Sequence, residues 1–495
     1  KCMRQTINLN KILLVGAMTA LIATPSCKKS FLDVPPQGQQ ASQQFWQSES
    51  DATKAVNAMY GNLREWKQVA FAPIAIESLG SDDTEKGSDP SDATFMNKFD
   101  NFTATSTEGQ ILDFWTGQYQ EVNLANQVLD HVPAINMDAT LKARYIGEAK
   151  FLRAYAYFRL VRAFGDVPLR LHVPKDATEY NIPRTPKAEV YAAIEQDLTD
   201  AAAVLPPTYP LKDIGHATKG AALALHAKVA MYEKKWADVL NYTNQVISSG
   251  VYSLFPNYEQ LFRIANENNQ ESIFEIQATY VPGNCDASNS QYSQVQGVRS
   301  VNRGGWGFNV PTTDLANSYE ANDPRKDATI IFRGETTPEG DAIPATVPNP
   351  MYNQKSYVPF TDPTNQNCNE GSEQNIRVIR YAEVLLMNAE AANETGNQAL
   401  ARQSLNLVRA RARGGNNAIL PDITLTDQAS LRTAIWEERH HELAMEFDRY
   451  FDVIRQGRAA QIFGPKGWTE KYTVWPIPQN EIDLSAGVLT QNPGF

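Results

Sequence analysis

Residues 148–168 read EAKFLRAYAYFRLVRAFGDVP. Within them Ala149, Leu152, Ala156, Leu160 and Ala163 recur at steps of three and four, which lays one apolar stripe along an α-helix. Phe151, Tyr155 and Phe158 add a second stripe, so this helix is expected to be covered on two sides. Gly165-Asp166-Val167-Pro168 then stops it.

The same periodicity spreads outward over most of residues 42–249. In 111–129, Ile111, Trp115, Val122, Asn126 and Leu129 share a face, and Asn126 there needs a buried partner. Ala217–Met231 is Ala-rich on nearly all sides, which permits close helix contacts, and Leu205-Pro206-Pro207 is another stop. From about Gly250 to Ser372 the character changes: Gly, Pro, Asn, Asp and Ser crowd together, and only short runs such as Ser272–Gln277 and Ala328–Phe332 read as strands. So long an irregular stretch in a helical chain points to function rather than to a linker. Helices are expected again at Gln374–Thr395, Gln398–Arg413 and Asp427–Ile454, before a closing Trp475-Pro476-Ile477-Pro478. Several pair across short turns, as in Ala217–Tyr232 with Lys235–Ser248, which resembles tetratricopeptide units stacking face on face. The expected fold is mainly α, an array of such helix pairs with an irregular, loop-rich lobe carrying a few short strands.

The 495 residues are 42% hydrophobic, 10% aromatic and 20% charged, with a formal charge of −11. That is too apolar for a disordered chain. Without a basic run it also lacks what nucleic acid requires of a partner. Lys1, Arg4 and Lys11 precede the apolar run Ile12–Ala23, the layout of a secretory signal and too short to span a membrane. Cys27 follows at once, in Thr24-Pro25-Ser26-Cys27, and resembles the acylated cysteine of a bacterial lipoprotein. The chain is therefore expected to divide into a signal at 1–26, a helical part at 27–249, the irregular lobe at 250–373 and a second helical part with the closing segment at 374–495. The only membrane contact expected is the lipid anchor. Of the remaining cysteines, Cys285 and Cys368 lie in polar stretches where an exported compartment permits a disulfide. No His or further Cys at ligand spacing suggests zinc.

A set of motifs in order along nearly the whole chain resembles the SusD/RagB group of outer-membrane nutrient-binding lipoproteins. They are Phe31-Leu32-Asp33-Val34-Pro35 after Cys27, the 148–168 stretch, and Asp323-Pro324-Arg325-Lys326-Asp327. Arg380-Tyr381-Ala382-Glu383-Val384-Leu385-Leu386 and Leu405-Asn406-Leu407-Val408-Arg409 follow, then Glu438-Arg439 with Glu442-Leu443-Ala444, Arg449-Tyr450-Phe451-Asp452, and the closing Trp475-Pro476-Ile477-Pro478 and Gln491-Asn492-Pro493-Gly494. Phe447 departs from the pattern, standing where the family usually has Gly. The resemblance implies four tetratricopeptide-like units, a glycan-binding lobe and no enzymatic activity. It also implies a place on the cell surface, where the protein passes an oligosaccharide, or less often another nutrient, to a SusC-like TonB-dependent transporter.

The residues themselves give catalysis little support. His441-Glu442-Leu443-Ala444-Met445 starts like a zinc-protease motif but has Met where the second ligand belongs, and no phosphate loop or nucleophile elbow is present. Glu438, Arg439, Glu442, Asp448, Arg449 and Asp452 read as structural ion pairs between helices. A pyranose offers a C–H face to an aromatic plane and hydroxyls to planar polar groups, so the aromatics that lie off the helices matter most. Trp46, Trp115, Trp236 and Trp436 are at helical spacing and read as core, as does Trp475. Trp306, set among glycines in Arg303-Gly304-Gly305-Trp306-Gly307, is the leading ligand contact, followed by Trp66 at the end of the helix expected over Asp51–Trp66. Tyr280 and Tyr292 flank the Cys285 loop, and Asp82, Asp83, Asn302 and Arg303 are candidates for the hydroxyls. The acidic run Ser81–Asp92 could offer oxygens to calcium. Its spacing is no EF-hand, a solvated loop is the simpler reading, and no cofactor is expected.

Overall fold

The computed structural model describes residues 45–176, 179–285, 290–301, 304–363 and 371–495. The signal, Cys27, Asn302, Arg303 and Cys368 lie outside them. The long helices are α1 (Glu49–Asn62), α2 (Gly109–His131), α3 (Ala139–Phe164), α4 (Lys187–Val204), α5 (Lys219–Tyr232), α6 (Trp236–Ser248), α7 (Tyr381–Glu394), α8 (Gln398–Ala412) and α9 (Gln428–Leu443). Their starts are written locally: Ser48 and Asp51 form a capping box on α1, and Asp138, Thr218, Asn397 and Asp427 each accept an N–H of the first turn of α3, α5, α8 and α9.

Each of these helices packs on the next in the chain, so the fold is an array of antiparallel pairs. The stripe of α3 is fully buried, from Ala149 through Leu152, Ala156 and Leu160 to Ala163. Asn126 has the partners it needs: its amide donates to the carbonyls of Arg170 (3.1 Å) and His172 (3.3 Å), and its oxygen accepts from Arg153. In α5 every residue from Gly220 to Met231 is buried, because neighbours cover it on all sides.

Helix α6 packs directly on α7 although residues 249–380 separate them in sequence. The irregular lobe is therefore an insertion into a continuous array. Its strands enter three two-stranded antiparallel sheets: β3 (Phe308–Pro311) pairs with β1 (Thr84–Gly87) from the segment between α1 and α2, while β2 (Ser272–Ile276) with β6 (Ile376–Arg380) and β4 (Ile330–Phe332) with β5 (Met351–Asn353) pair within the lobe.

Three helix boundaries differ from expectation. The first helix ends at Asn62, and Trp66 opens a separate short helix, Trp66–Val69. The expected helix over 374–395 begins only at Tyr381, since Ile376–Arg380, β-branched at three of five positions, pairs with β2. The run over 427–454 is broken at residues 444–448, after which α10 (Arg449–Arg455) resumes. Met445 (φ +66°) and Phe447 (φ +69°) are left-handed there. The buried Glu446 between them is held by Arg380 at 2.8 Å through both oxygens and by Lys355 at 2.7 Å, anchors that offset the backbone strain.

That ion pair belongs to a buried seam joining lobe to array. Arg325 reaches Asp323 (2.8 Å), Glu438 (2.5 Å) and Glu442 (3.3 Å), while Arg380 reaches Glu271 (2.6 Å) and Glu442 (3.0 Å). Arg411 joins Glu271 to Glu442, and Arg439 joins Glu383 to Asp452. Each arginine has several carboxylate partners, which is the condition for burying it.

Candidate functional site

The segment after α1 is pinned to α2. Lys67 donates to the Thr116 hydroxyl (3.0 Å), and the Gln68 amide donates to the Gly117 carbonyl (2.7 Å). Trp66, just ahead of them, is left 36% exposed. Trp306 arrives from the lobe, immediately before β3. Its backbone N–H donates to the Gln294 carbonyl (2.8 Å), and that of Gly305 to Val298 (2.8 Å). A Cβ on Gly305 would lie 2.3 Å from the Gln294 oxygen and 2.5 Å from the Gly297 Cα, so only glycine allows this approach. Arg299, paired with Asp89 (2.7 Å) and Asp92 (3.1 Å), also touches the Trp306 carbonyl. The β1–β3 pairing, with Thr84 opposite Pro311 and Gly87 opposite Phe308, fixes lobe against array at this point.

The result is a ring cluster. The Trp66 and Trp306 centroids are 5.9 Å apart at 51°, and Phe71 contacts both, at 5.4 and 6.1 Å. Phe308 (4.8 Å from Phe71) lies buried beneath, and Phe95 (6.1 Å from Phe71) extends the edge. Trp306, Phe71 and Phe95 are half-buried. Neither indole N–H, of Trp66 or of Trp306, has a hydrogen-bond partner among the described residues. Two tilted rings with free polar edges form a shallow platform suited to successive sugar rings.

The structure thus brings together the first two candidates from sequence and adds Phe71 and Phe95, which sequence reasoning missed. Their only signal was an aromatic off the long helices. Asn302 and Arg303 lie outside the described residues, and the remaining candidates lie elsewhere. Tyr292 is buried against Phe447 (6.1 Å) and burial pushes its hydroxyl pKa up, so it is a packing residue. Tyr280 is half-buried, with its backbone N–H on Glu373, and makes no ring contact with the platform.

Asp82 and Asp83 are committed to ion pairs. Asp82 accepts from two nitrogens of Arg449 (2.8 and 2.6 Å); burial pushes its pKa up, but the guanidinium outweighs this and holds it down to about 2. Asp83 is buried on His440. These two carboxylates and the imidazole lie within 4.8 Å of one another. Calcium does not fit this set, since one donor is nitrogen and Arg449 already neutralises Asp82. Cys285 is in a disulfide, and Cys368, named as its partner from sequence, is outside the described residues. His441 stacks on Tyr319 (5.0 Å); burial first, then the charges of His440 and Arg325, hold its pKa down to about 2. It is a neutral core imidazole.

Comparison with known proteins places the architecture. A model described as the SusD family matches residues 259–495, and one described as "Starch-binding associating with outer membrane" matches residues 30–231. SusD-like protein P2 of Formosa agariphila is 27% identical, over 94% of this chain and 96% of its own. A solved structure titled "Laminarin binding SusD-like protein" is 30% identical, with a TM-score of 0.78, over 91% of this chain and all of that one. A SusD-like protein from Bacteroides fragilis superposes with a TM-score of 0.78 at 26% identity, over 92% and 99% of the two chains. With the helix array, the inserted lobe and the motifs in order, these matches establish that the chain belongs to the SusD/RagB family.

Proposed function

We propose that this protein binds an oligosaccharide on the Trp66–Trp306 platform at the cell surface and delivers it to a SusC-like TonB-dependent transporter of the outer membrane. The observation that carries the reading is the ring pair itself. Two indoles from distant segments are held together, Trp66 exposed and Trp306 half-buried, with free polar edges, where burial would otherwise be favoured. The relative named for laminarin and the model described as starch-binding support carbohydrate as the ligand class, with a glucan the first to try. Lipid on Cys27 tethers the protein, in keeping with a family model that names the outer membrane; among the described residues no helix is long and apolar enough to cross a membrane. The protein acts by binding, since the protease-like stretch at 441–445 lies in the buried seam and its histidine is a packed neutral ring.

Calorimetric titration with laminarin and starch oligosaccharides tests this. A central aromatic in a binding site is worth about 2 kcal/mol, so Trp306→Ala is expected to weaken binding tenfold or more. Unchanged affinity in both Trp306→Ala and Trp66→Ala overturns the site. Silence of the wild-type protein across a broad glycan panel overturns the ligand class and leaves a non-glycan nutrient.

A further inference from the structure

Thr116, whose hydroxyl Lys67 grips, also lines a separate cavity of about 390 Å³. It opens between the middle of α2, the segment after α3, and the chain's last short helix, Gln479–Leu484. A volume of this size lies in the range of small-ligand sites. Trp115 forms part of its lining, packed at 4.9 Å against Tyr119, and Tyr180 lines it too. The Tyr119 hydroxyl donates to the Pro168 carbonyl at 2.7 Å, which fixes the ring in place. Tyr180 is 58% exposed, a large ring face turned to solvent at the rim.

The rim is preorganised. Arg170 donates to the carbonyls of Glu179 (2.7 Å) and Tyr180, and its own backbone is clamped on the Tyr157 hydroxyl at 2.6 and 3.0 Å. The Glu179 and Tyr180 backbone is therefore held by hydrogen bonds, and ordering it on binding costs little. Three primary amides also line the cavity, those of Gln120, Asn123 and Asn181. None of the three has a hydrogen-bond partner among the described residues. Each supplies both donors and an acceptor, the complement that adjacent sugar hydroxyls use. An apolar ligand would leave these amides unused. A strongly anionic one would meet Glu481, with Arg170 already engaged.

We propose that this cavity is a second glycan subsite, which takes a mono- or disaccharide-sized stretch between Tyr119 and Tyr180 with its hydroxyls on Gln120, Asn123 and Asn181. The proposal rests on the reading of the protein as glycan-binding, but on different residues from the platform.

Hydrogen exchange of the full chain, read by mass spectrometry with and without laminarin and starch oligosaccharides at millimolar concentration, separates the two sites. The expected result is exchange slowed at least about threefold in segments 168–185 and 479–489, as well as in 64–72 and 304–308. In Tyr180→Ala with Asn123→Ala, both exposed positions, protection at 168–185 is lost while that at 64–72 remains. Protection only around the platform in the wild-type protein overturns the second subsite and leaves the proposed function standing. Protection only around the cavity supports the subsite and overturns the platform. No protection at either overturns both, and protection of the cavity that survives the double variant overturns the assignment to these residues.

Discussion

Two clusters of aromatic rings sit at opposite extremes. Around Trp475 the rings of Tyr450 (5.6 Å), Tyr472 (5.6 Å) and Phe102 (6.5 Å) close on one another, and all are buried. Every polar edge there is used: the Trp475 indole donates to Ile76 (3.0 Å), Tyr450 to Tyr472 (2.7 Å), and Tyr472 to Ala104 (3.2 Å). At the platform the same residue types meet at similar separations, yet the indole edges are free and the rings half open. Ring contact alone does not mark a binding surface. What distinguishes it is an aromatic held in place by its backbone while its polar edge is left unpaired.

Emptying the closed cluster should have the largest effect. Trp475→Ala removes the largest fully buried side chain and strands the Ile76 carbonyl, so it is expected to cost about 3–5 kcal/mol. Urea denaturation checks this, and the surviving folded fraction should bind glycan as the parent does, because Trp475 touches neither Trp66 nor Trp306.

The ion-pair seam is the next test. Burial pushes the Glu442 carboxyl up, but Arg411, Arg380 and Arg325 outweigh it and hold the pKa down to about 2, from 4.5 for a free carboxyl. A depressed carboxylate contributes stability that is present above 4.5 and lost as pH falls from 4.5 towards 2. His441 adds a loss that begins earlier. Its folded pKa is about 2, so below 6.5 the unfolded chain takes up a proton that the fold refuses. Stability measured against pH should therefore decline below 6.5 and more steeply below 4.5. Glu442→Gln keeps the shape but leaves three guanidinium groups short of a charge, and is expected to cost about 3 kcal/mol at neutral pH and to flatten the acid limb. Binding at the platform, which has no titrating ring, should stay level over about pH 5–8.

Much of the array was legible because its signals are local. The stripe at 149–163 and the caps at Ser48 and Asp138 depend on residues within a few positions of each other. The seam was legible as a set of charges but not as pairs, since Asp82 meets Arg449 and Asp83 meets His440 only after the chain has closed on itself. From sequence alone both aspartates therefore read as candidates for ligand hydroxyls. The strand at 376–380 was hidden because Ile376, Ile379 and Ala382 step by three, a helical spacing that leads into α7. The break at 444–448 was hidden because Met and Phe, not glycine, take the left-handed positions. The backbone presentation of Trp306 was legible, since its flanking glycines are a local signal. The contact of Phe71 with it was not, because Trp306 arrives from the lobe.

Those glycines supply the finest test of what separates the two clusters. If the platform works because backbone geometry presents Trp306, then Gly305→Ala should impair binding while leaving every ring in the sequence. The new methyl would sit 2.3 Å from the Gln294 oxygen, a contact that cannot be kept. The segment must move, and it carries the Trp306 N–H bond to the same oxygen. Overpacking of this kind costs about 1–3 kcal/mol, a smaller loss than emptying the closed cluster. Its effect on binding should be several-fold, appearing mainly as faster release from rings no longer held at their 5.9 Å separation. Gly457→Ala is the matched control, because that glycine meets nothing within 4 Å and any cost there comes only from its φ of +72°. If both substitutions destabilise alike but only Gly305→Ala weakens glycan binding, presentation of the ring and not its mere exposure makes the site; if neither weakens it, exposure suffices and the backbone argument fails.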